Sequence, residues 1–204
     1  MSKEIHMQPL VGILAGGKSN RMGTDKTLLK ISGMSLLERA VGTALETGYE
    51  VAVSGCGQPE GWPFPDISFV QDTIPYQGPI HGIVRLLERY DHPLLAIGCD
   101  MPLLTVESLN WLIEMAPVHM REDGLAALDS QNIIQPLFSI YNPEVLEQID
   151  AELGEDTYSA IDVIRTCRFG LVNIPAEIEP LLYSVDVPED FDYVSGILKQ
   201  EDID

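Results

Sequence analysis

The sequence has few basic residues and few cysteines. Its 204 residues include 12 Lys and Arg against 32 Asp and Glu, which gives a formal net charge of −20. Such a charge repels nucleic acid phosphates and anionic membranes, so we expect neither as a partner. Three cysteines without C-x-x-C spacing predict reduced thiols rather than a disulfide framework or a zinc site; they are Cys56, Cys99 and Cys167.

Long apolar runs are also absent. No segment approaches the roughly 20 apolar residues that span a bilayer, and the N-terminus lacks the apolar core of a signal peptide. With 45% hydrophobic and 22% charged residues, the composition is that of a globular protein. We therefore expect one cytoplasmic domain over residues 1–204.

Apolar strands alternate with helical patterns along the chain. Val11–Leu14 is predicted to be a buried strand, and Ser35 with Glu38 forms a capping box at a helix start. Leu94–Ile97 is apolar on both faces, which predicts a central parallel strand. The alternation predicts the α/β class: a single-domain three-layer sandwich with a Rossmann-like, mostly parallel sheet.

The first predicted strand and the loop after it match a phosphate-binding motif. Residues 12–19 match G-x-x-x-x-G-K-S, the P-loop pattern of many ATPases and GTPases. In a P-loop the lysine lies on the first turn of a helix, but here Gly23 follows and the first helical pattern begins near Ser35. The residues match the P-loop pattern, but the helix that should carry its lysine is not predicted here. We therefore do not expect Lys18 to bind phosphate.

The same stretch supports a different nucleotide site. Small residues after the strand let a base or a phosphate approach the main chain, and these are Ala15, Gly16 and Gly17. Arg21 and Lys26 can neutralise a triphosphate.

Asp100 follows an apolar strand and therefore lies where α/β sheets bind ligands. A single carboxylate there suits Mg²⁺, which keeps several waters and takes further ligands from substrate phosphates. The alternative is a loop or helix-capping aspartate.

Residues 14–26, LAGGKSNRMGTDK, resemble the nucleotidyltransferase signature L-A-G-G-x-S-x-R-M-G-x-D-K. Within that superfamily the chain looks most like the MobA-type molybdenum cofactor guanylyltransferases. Weaker matches follow in the family's order: Asp72 with residues 78–83, residues 98–104, residues 135–138 and residues 186–191. Together they cover about the whole chain.

The resemblance implies the fold of nucleotide-diphospho-sugar transferases and assigns roles to individual residues. The catalytic residues would be Lys26, Arg21 and Asp100. The nucleotide would be bound by Leu14, Ala15, Gly16, Gly17, Lys26, Asp72 and Asp100, with the base held through the main chain. Asp100 would bind Mg²⁺, with Asp186 as a second candidate ligand. The acceptor would contact Gln135, Pro136, Ser184 and Asp186.

The implied reaction is Mg²⁺-dependent transfer of GMP from GTP to molybdopterin with release of pyrophosphate. Transient contact with proteins of the same cofactor pathway is also expected. Three alternatives stay open: a cytidylyltransferase of the same pathway, a transferase that activates a sugar or another phosphate, and a non-catalytic nucleotide-binding module.

The sequence departs from the family pattern in three places. His81 replaces a residue that is usually small, and Ser54 begins a segment that often carries an asparagine for the base. Ser184 and Asp186 replace a C-terminal asparagine pair, in a segment that reads as a strand before a Pro-initiated helix. Asp186 could share the metal with Asp100 or stabilise the dipole of that helix.

Overall fold

The computed structural model describes residues 8–16, 26–71, 78–149 and 159–201, which form an α/β sandwich. The strands are β1 Leu10–Leu14, β2 Lys30–Ile31, β3 Met34–Ser35, β4 Val51–Ser54, β5 Ser68–Val70, β6 Leu94–Gly98, β7 Gly124–Leu128, β8 Ile134–Tyr141 and β9 Phe169–Asn173. The helices are α1 Leu36–Glu46, α2 Pro79–Tyr90, α3 Val106–His119, α4 Val145–Gln148, α5 Ala160–Thr166 and α6 Pro188–Glu201. Two short 3₁₀ turns cover Lys26–Leu28 and Glu179–Leu182.

Seven strands form one sheet in the order β5-β4-β1-β6-β8-β7-β9. Strand β8 is antiparallel to both of its neighbours, and the remaining pairs are parallel. The predicted α/β class with a mostly parallel sheet is confirmed. Strand β6 is central as predicted, but it is parallel to β1 and antiparallel to β8.

Helices cover both faces of the sheet. Alternate residues of the strands point to opposite faces, so Val11 and Ile13 pack with α1 and α3, whereas Leu10 and Leu14 pack with α2 and α5. Helix α6 packs on the β2–β3 hairpin in a smaller cluster that contains Val194. Within the described ranges no helix is long and apolar enough to cross a membrane.

The helix starts follow the sequence signals. The Ser35–Glu38 capping box is present, with Ser35 Oγ accepting from Glu38 N and Glu38 Oε2 accepting from Ser35 N. Pro79 begins α2, since proline fits the first helical turn. These caps fix where each helix begins relative to the sheet edge that precedes it.

One edge of the sheet gathers the carboxyl ends of six strands: β1, β4, β5, β6, β7 and β9. Because β8 runs the other way, its amino end at Ile134 lies at this same edge. In α/β sheets, ligands bind outside the carboxyl ends of the strands. We call this the carboxyl edge, and the candidate site is described along it.

Candidate functional site

Strand β1 ends between β4 and β6. Just past the end of the strand, one further main-chain hydrogen bond joins it to each of these neighbours. Ala15 N donates to the Ser54 carbonyl at 2.7 Å, and Cys99 N donates to the Leu14 carbonyl at 3.2 Å. The first polar main-chain atoms beyond this ladder belong to exposed Gly16. Of the predicted base-binding residues, Leu14 and Ala15 are buried and Gly16 is exposed at the end of the strand, so their role stays a prediction.

Gly55 packs directly against that main chain. Its φ is +97°, and a Cβ built there would lie 2.4 Å from Gly16 N and 2.6 Å from Gly16 Cα. Only glycine fits a position with both a positive φ and so close an approach. Gly55 was not among the predicted site residues, because a glycine after a strand usually marks no more than a turn.

Ser54 lies beneath α2 at the end of β4. Its side chain is fully buried, and its Oγ has no hydrogen-bond partner among the described residues. A Cβ built at Gly82 would lie 3.1 Å from this oxygen and 2.5 Å from Leu14 Cδ1. A small residue at 82 thus lets α2 approach the end of β1.

We expect Ser54→Ala to leave the free energy of unfolding unchanged or to raise it by about 1 kcal/mol. Burial removes the hydrogen bonds that a hydroxyl makes with water, and here no hydrogen bond within the protein replaces them. Urea unfolding of both proteins measures the difference. A loss above about 1 kcal/mol would contradict this account, because it would show that the hydroxyl makes a stabilising hydrogen bond.

Asp100 comes two residues after β6 and is partly exposed at the carboxyl edge. A Cβ at Gly98 would lie 2.5 Å from Asp100 Oδ1, so the carboxylate turns back over the end of its own strand. Its role as a metal ligand stays a prediction.

The C-terminal segment is joined to Asp100 by the main chain. Val185 N donates to the Asp100 carbonyl at 2.8 Å, which brings residues 184–186 to the carboxyl edge. Ser184 Oγ donates to Asp186 Oδ2 at 3.1 Å. The prediction of a strand over this segment is wrong: residues 183–186 lie outside the strands, and one hydrogen bond links them to the β6 end.

Asp190 makes hydrogen bonds that hold the start of α6. Its Oδ2 accepts from Asp186 N at 2.8 Å and from Val187 N at 2.9 Å, and its Oδ1 accepts from the Tyr183 hydroxyl at 2.7 Å. The bond to Asp190 also raises the pKa of Tyr183. Asp186 itself is exposed.

We therefore expect Asp190→Ala to lower the free energy of unfolding by about 1 kcal/mol, as other lost helix caps do. Asp186→Asn should change it little, because asparagine keeps a side-chain oxygen that can accept from the Ser184 hydroxyl. Thermal melts of both variants test the assignment. The reverse order of effects would return the helix-end role to Asp186.

The predicted acceptor residues Gln135 and Pro136 begin β8 at the carboxyl edge. Gln135 Nε2 donates to Asp129 Oδ2 at 3.0 Å, and the Pro136 carbonyl accepts from the Tyr141 hydroxyl at 2.9 Å. Tyr141 is fully buried, and burial raises its pKa. Both residues precede Phe138, where the pairing of β8 with β6 ends, and Gln135 pairs with Ala127 of β7.

Three predicted residues lie outside the described part of the chain: Gly17, Arg21 and Asp72. Lys26 begins the 3₁₀ turn Lys26–Leu28, which packs against α1, and its main chain alone is described. The roles of these four residues stay predictions.

The donor set at the carboxyl edge fits a magnesium ion that keeps most of its own ligands. Asp100 offers a partly exposed carboxylate, and Asp186 lies on the segment bonded to the Asp100 main chain. In the described ranges, no group of three or more His, Cys, Asp or Glu could form a protein cage for a metal. Mg²⁺ does not need one, since waters and phosphate oxygens complete its octahedron.

Two of the grooves lined by described residues lie in this region. The larger, of about 470 Å³, lies between α1, α6 and the loop after Asp100, and it contains none of the predicted site residues. The smaller, of about 210 Å³, lies between the β7–β8 turn and the segment 179–183, and Gln135 lines it.

Known proteins resemble this chain in sequence over most of its length. The family model described as "MobA-like NTP transferase domain" matches residues 11–167. A "Probable molybdenum cofactor guanylyltransferase" of Pelotomaculum thermopropionicum is 29% identical over 87% of each chain. A protein of the same name from Natronomonas pharaonis is 30% identical over 88% of this chain and 93% of its own.

A solved structure shares the fold. The "Molybdopterin-guanine dinucleotide biosynthesis protein A" of Archaeoglobus fulgidus superposes with a TM-score of 0.70 at 18% identity, covering 94% of this chain and 99% of its own.

Proposed function

Because the chain belongs to the MobA-like NTP transferase family and is a nucleotidyltransferase, we propose that it transfers GMP from GTP to molybdopterin. Mg²⁺ is the proposed metal, and the products are pyrophosphate and the guanine dinucleotide form of the cofactor. The relatives' names support the acceptor and the nucleotide.

The observation that carries the proposal is the order of the candidate residues along the carboxyl edge. The main chain proposed to bind the base is at the end of β1, beside Gly55, which follows β4; Asp100 follows the neighbouring β6; Gln135 lies on the next strand, β8. Strands are about 4.8 Å apart, so β1 and β8 lie roughly 10 Å from each other. A nucleotide at β1 and an acceptor at β8 would therefore meet over Asp100.

The proposed reaction is an in-line displacement. An oxygen of the acceptor phosphate forms a bond to the α-phosphorus, and the bond from that phosphorus to the bridging oxygen of pyrophosphate breaks. Asp100 would hold Mg²⁺, which offsets the charge on the triphosphate when bound. Lys26 and Arg21 would neutralise the remaining negative charge, and positioning by the strand ends would supply the rest of the rate enhancement.

Guanine selectivity is assigned to Asp72. A carboxylate can accept from guanine N1–H and from the exocyclic amine, a pattern that adenine and cytosine do not offer. A mismatched base would leave that carboxylate without donors, at a cost of several kcal/mol in transition-state binding.

Pyrophosphate release tests the proposal and separates the alternatives. The purified protein is incubated with Mg²⁺, one of GTP, CTP or ATP, and either molybdopterin or a sugar phosphate. We expect release with GTP and molybdopterin together, with a specificity constant well above that for CTP. Preference for CTP would assign the sister cytidylyltransferase, release with the sugar phosphate would assign the wider class, and no release would leave a nucleotide-binding module.

A further inference from the structure

The segment between β4 and β5, residues 55–67, lies beside the end of β1 and contains no helix or strand. It begins at Gly55, which packs on the main chain of Gly16. Gly55 N also donates to the Val70 carbonyl at 3.3 Å, so the start of the segment is joined to β5 as well. The conformation of this segment therefore bears directly on the main chain proposed to bind the base.

The part of the segment that follows is exposed. We call residues 57–61 the arch. Four of its residues are exposed, and two of these are glycines: Gly57, Gln58, Glu60 and Gly61. The φ of Gly61 is +71°, which a glycine adopts without strain. Exposed residues bury little surface, so the arch depends on its two ends to stay in one conformation.

Trp62 follows the arch and packs among aromatic rings. Its ring meets that of Phe69 in β5 edge-on, with centroids 5.3 Å apart and planes at 82°, and that of Phe64 at 5.4 Å and 68°. Phe64 reaches α1, since a Cβ built at Gly42 would lie 3.9 Å from Phe64 Cζ. All three rings pack on the core that the sheet shares with α1 and α3. We call Trp62, Phe64 and Phe69 the aromatic anchor.

Ring packing, rather than a hydrogen bond, holds Trp62 in this anchor. Its Nε1 is buried and has no hydrogen-bond partner among the described residues. Edge-to-face contacts of this kind stabilise aromatic pairs beyond the area that they bury. Phenylalanine at position 62 can keep such contacts, whereas alanine cannot.

We infer that Trp62 is a positioning residue for the nucleotide. The inference rests on the proposed function and adds to it how the base site keeps its shape. The arch runs from the start of the segment to Trp62, so fixing Trp62 restricts the ways in which Gly55 meets Gly16. Without the anchor the segment has more conformations, and a bound nucleotide must order it at a cost in free energy.

Nucleotide affinity tests the role of Trp62. Isothermal titration calorimetry of the full-length protein with GTP and Mg²⁺ gives the Kd. We expect Trp62→Ala to raise this Kd about tenfold, the effect of a modest ordering cost. Trp62→Phe should stay within about twofold of wild type, because the ring contacts are kept. In turnover, Trp62→Ala should raise the KM for GTP and leave kcat and the KM for molybdopterin nearly unchanged.

Trp111 on α3 provides the matched control. Its ring stacks on Phe138 with centroids 6.2 Å apart, and it packs on the same core. Phe138 belongs to β8, which lies three strands from β4 in the sheet. Trp111→Ala should lower the melting temperature as Trp62→Ala does, since each removes a partly buried indole, yet leave the Kd for GTP unchanged. An equal loss of GTP affinity in both variants would overturn the role of Trp62. Trp62→Leu keeps an apolar side chain without a ring and gives the same comparison if Trp62→Ala does not fold.

Fluorescence separates positioning from stability alone. The chain has two tryptophans, so Trp111→Phe leaves Trp62 as the only one. Acrylamide quenching of Trp62 should fall about twofold when GTP and Mg²⁺ bind, because the nucleotide restricts the motion of the segment. In Trp62→Phe, where Trp111 is the only tryptophan, GTP should leave quenching unchanged. A fall of equal size in both proteins, or no fall in either, would contradict the inference.

Failure of the inference is distinguishable from failure of the function. Wild-type GTP affinity in Trp62→Ala would overturn the role of Trp62 and leave the function standing. A wild-type protein that binds GTP, loses affinity in Trp62→Ala but not in Trp111→Ala, and releases no pyrophosphate with molybdopterin would overturn the function and leave the role of Trp62 standing. Failure of wild type to bind GTP would overturn both.

Discussion

Asp100→Asn should lower turnover by about a thousandfold or more while the protein stays folded. The asparagine has nearly the same shape but no charge, so it binds Mg²⁺ poorly. A catalytic metal contributes several kcal/mol of charge stabilisation in the transition state, and its loss has a correspondingly large effect on rate. The measurement is pyrophosphate release from GTP and molybdopterin over a range of Mg²⁺ concentrations.

The structure explains why this variant should fold. Asp100 is partly exposed, and the bond that joins it to Val185 uses its main-chain carbonyl, which the substitution leaves in place. Asp66→Asn is the matched control, because Asp66 is exposed in the loop before β5 and has no assigned role. A well-folded Asp100→Asn enzyme with wild-type turnover at limiting Mg²⁺ would remove Asp100 from the metal site.

Much of the fold could be predicted because its signals are local. Leu94–Ile97 is apolar on both faces and became the central strand β6, and the Ser35–Glu38 capping box marked the start of α1. The antiparallel direction of β8 could not be read in the same way, because a buried strand has one apolar pattern whichever way it runs. The hairpin of β2 and β3 was missed because each strand has two residues, too few for a period to show.

The site was predictable in position more than in detail. Asp100 and Gln135 lie at one edge because strand ends in such a sheet converge there. The helix-end role of Asp190 had only a weak signal in the sequence. Asp190 lies three positions after Val187, the residue before α6, which is the spacing of a capping box, but valine lacks the polar side chain that a capping box needs. The carboxylates of the smaller groove come from segments about 50 residues apart, and no local pattern joins Asp129 to Glu179.

Gly55→Ala should weaken GTP binding by more than tenfold and also destabilise the protein. A Cβ at residue 55 would lie 2.4 Å from Gly16 N and 3.2 Å from the Ala15 carbonyl carbon, and these neighbours are main chain, which cannot rotate away. The end of β1 must therefore move, and it carries the main-chain atoms assigned to the base. Positioning errors of about 1 Å can cost roughly a hundredfold in rate.

The positive φ of Gly55 causes a separate loss of folding stability in Gly55→Ala. This loss must be subtracted to obtain the effect of the close contact with Gly16. A non-glycine residue in the left-handed region costs about 1–2 kcal/mol. Gly33 has a similar φ of +87°, but a Cβ there would meet nothing within 4 Å. Gly33→Ala therefore reports the backbone strain alone: it should lower the free energy of unfolding by about 1–2 kcal/mol and leave the Kd for GTP unchanged.

The comparison of these two glycine variants isolates the contact between β4 and the base loop. Urea unfolding gives the stability of each variant, and titration with GTP in the presence of Mg²⁺ gives the Kd. Equal losses of GTP affinity in both variants would attribute the effect to general destabilisation. Wild-type affinity in Gly55→Ala would show that the end of β1 can shift without loss of the nucleotide, and would move the base site away from Leu14, Ala15 and Gly16.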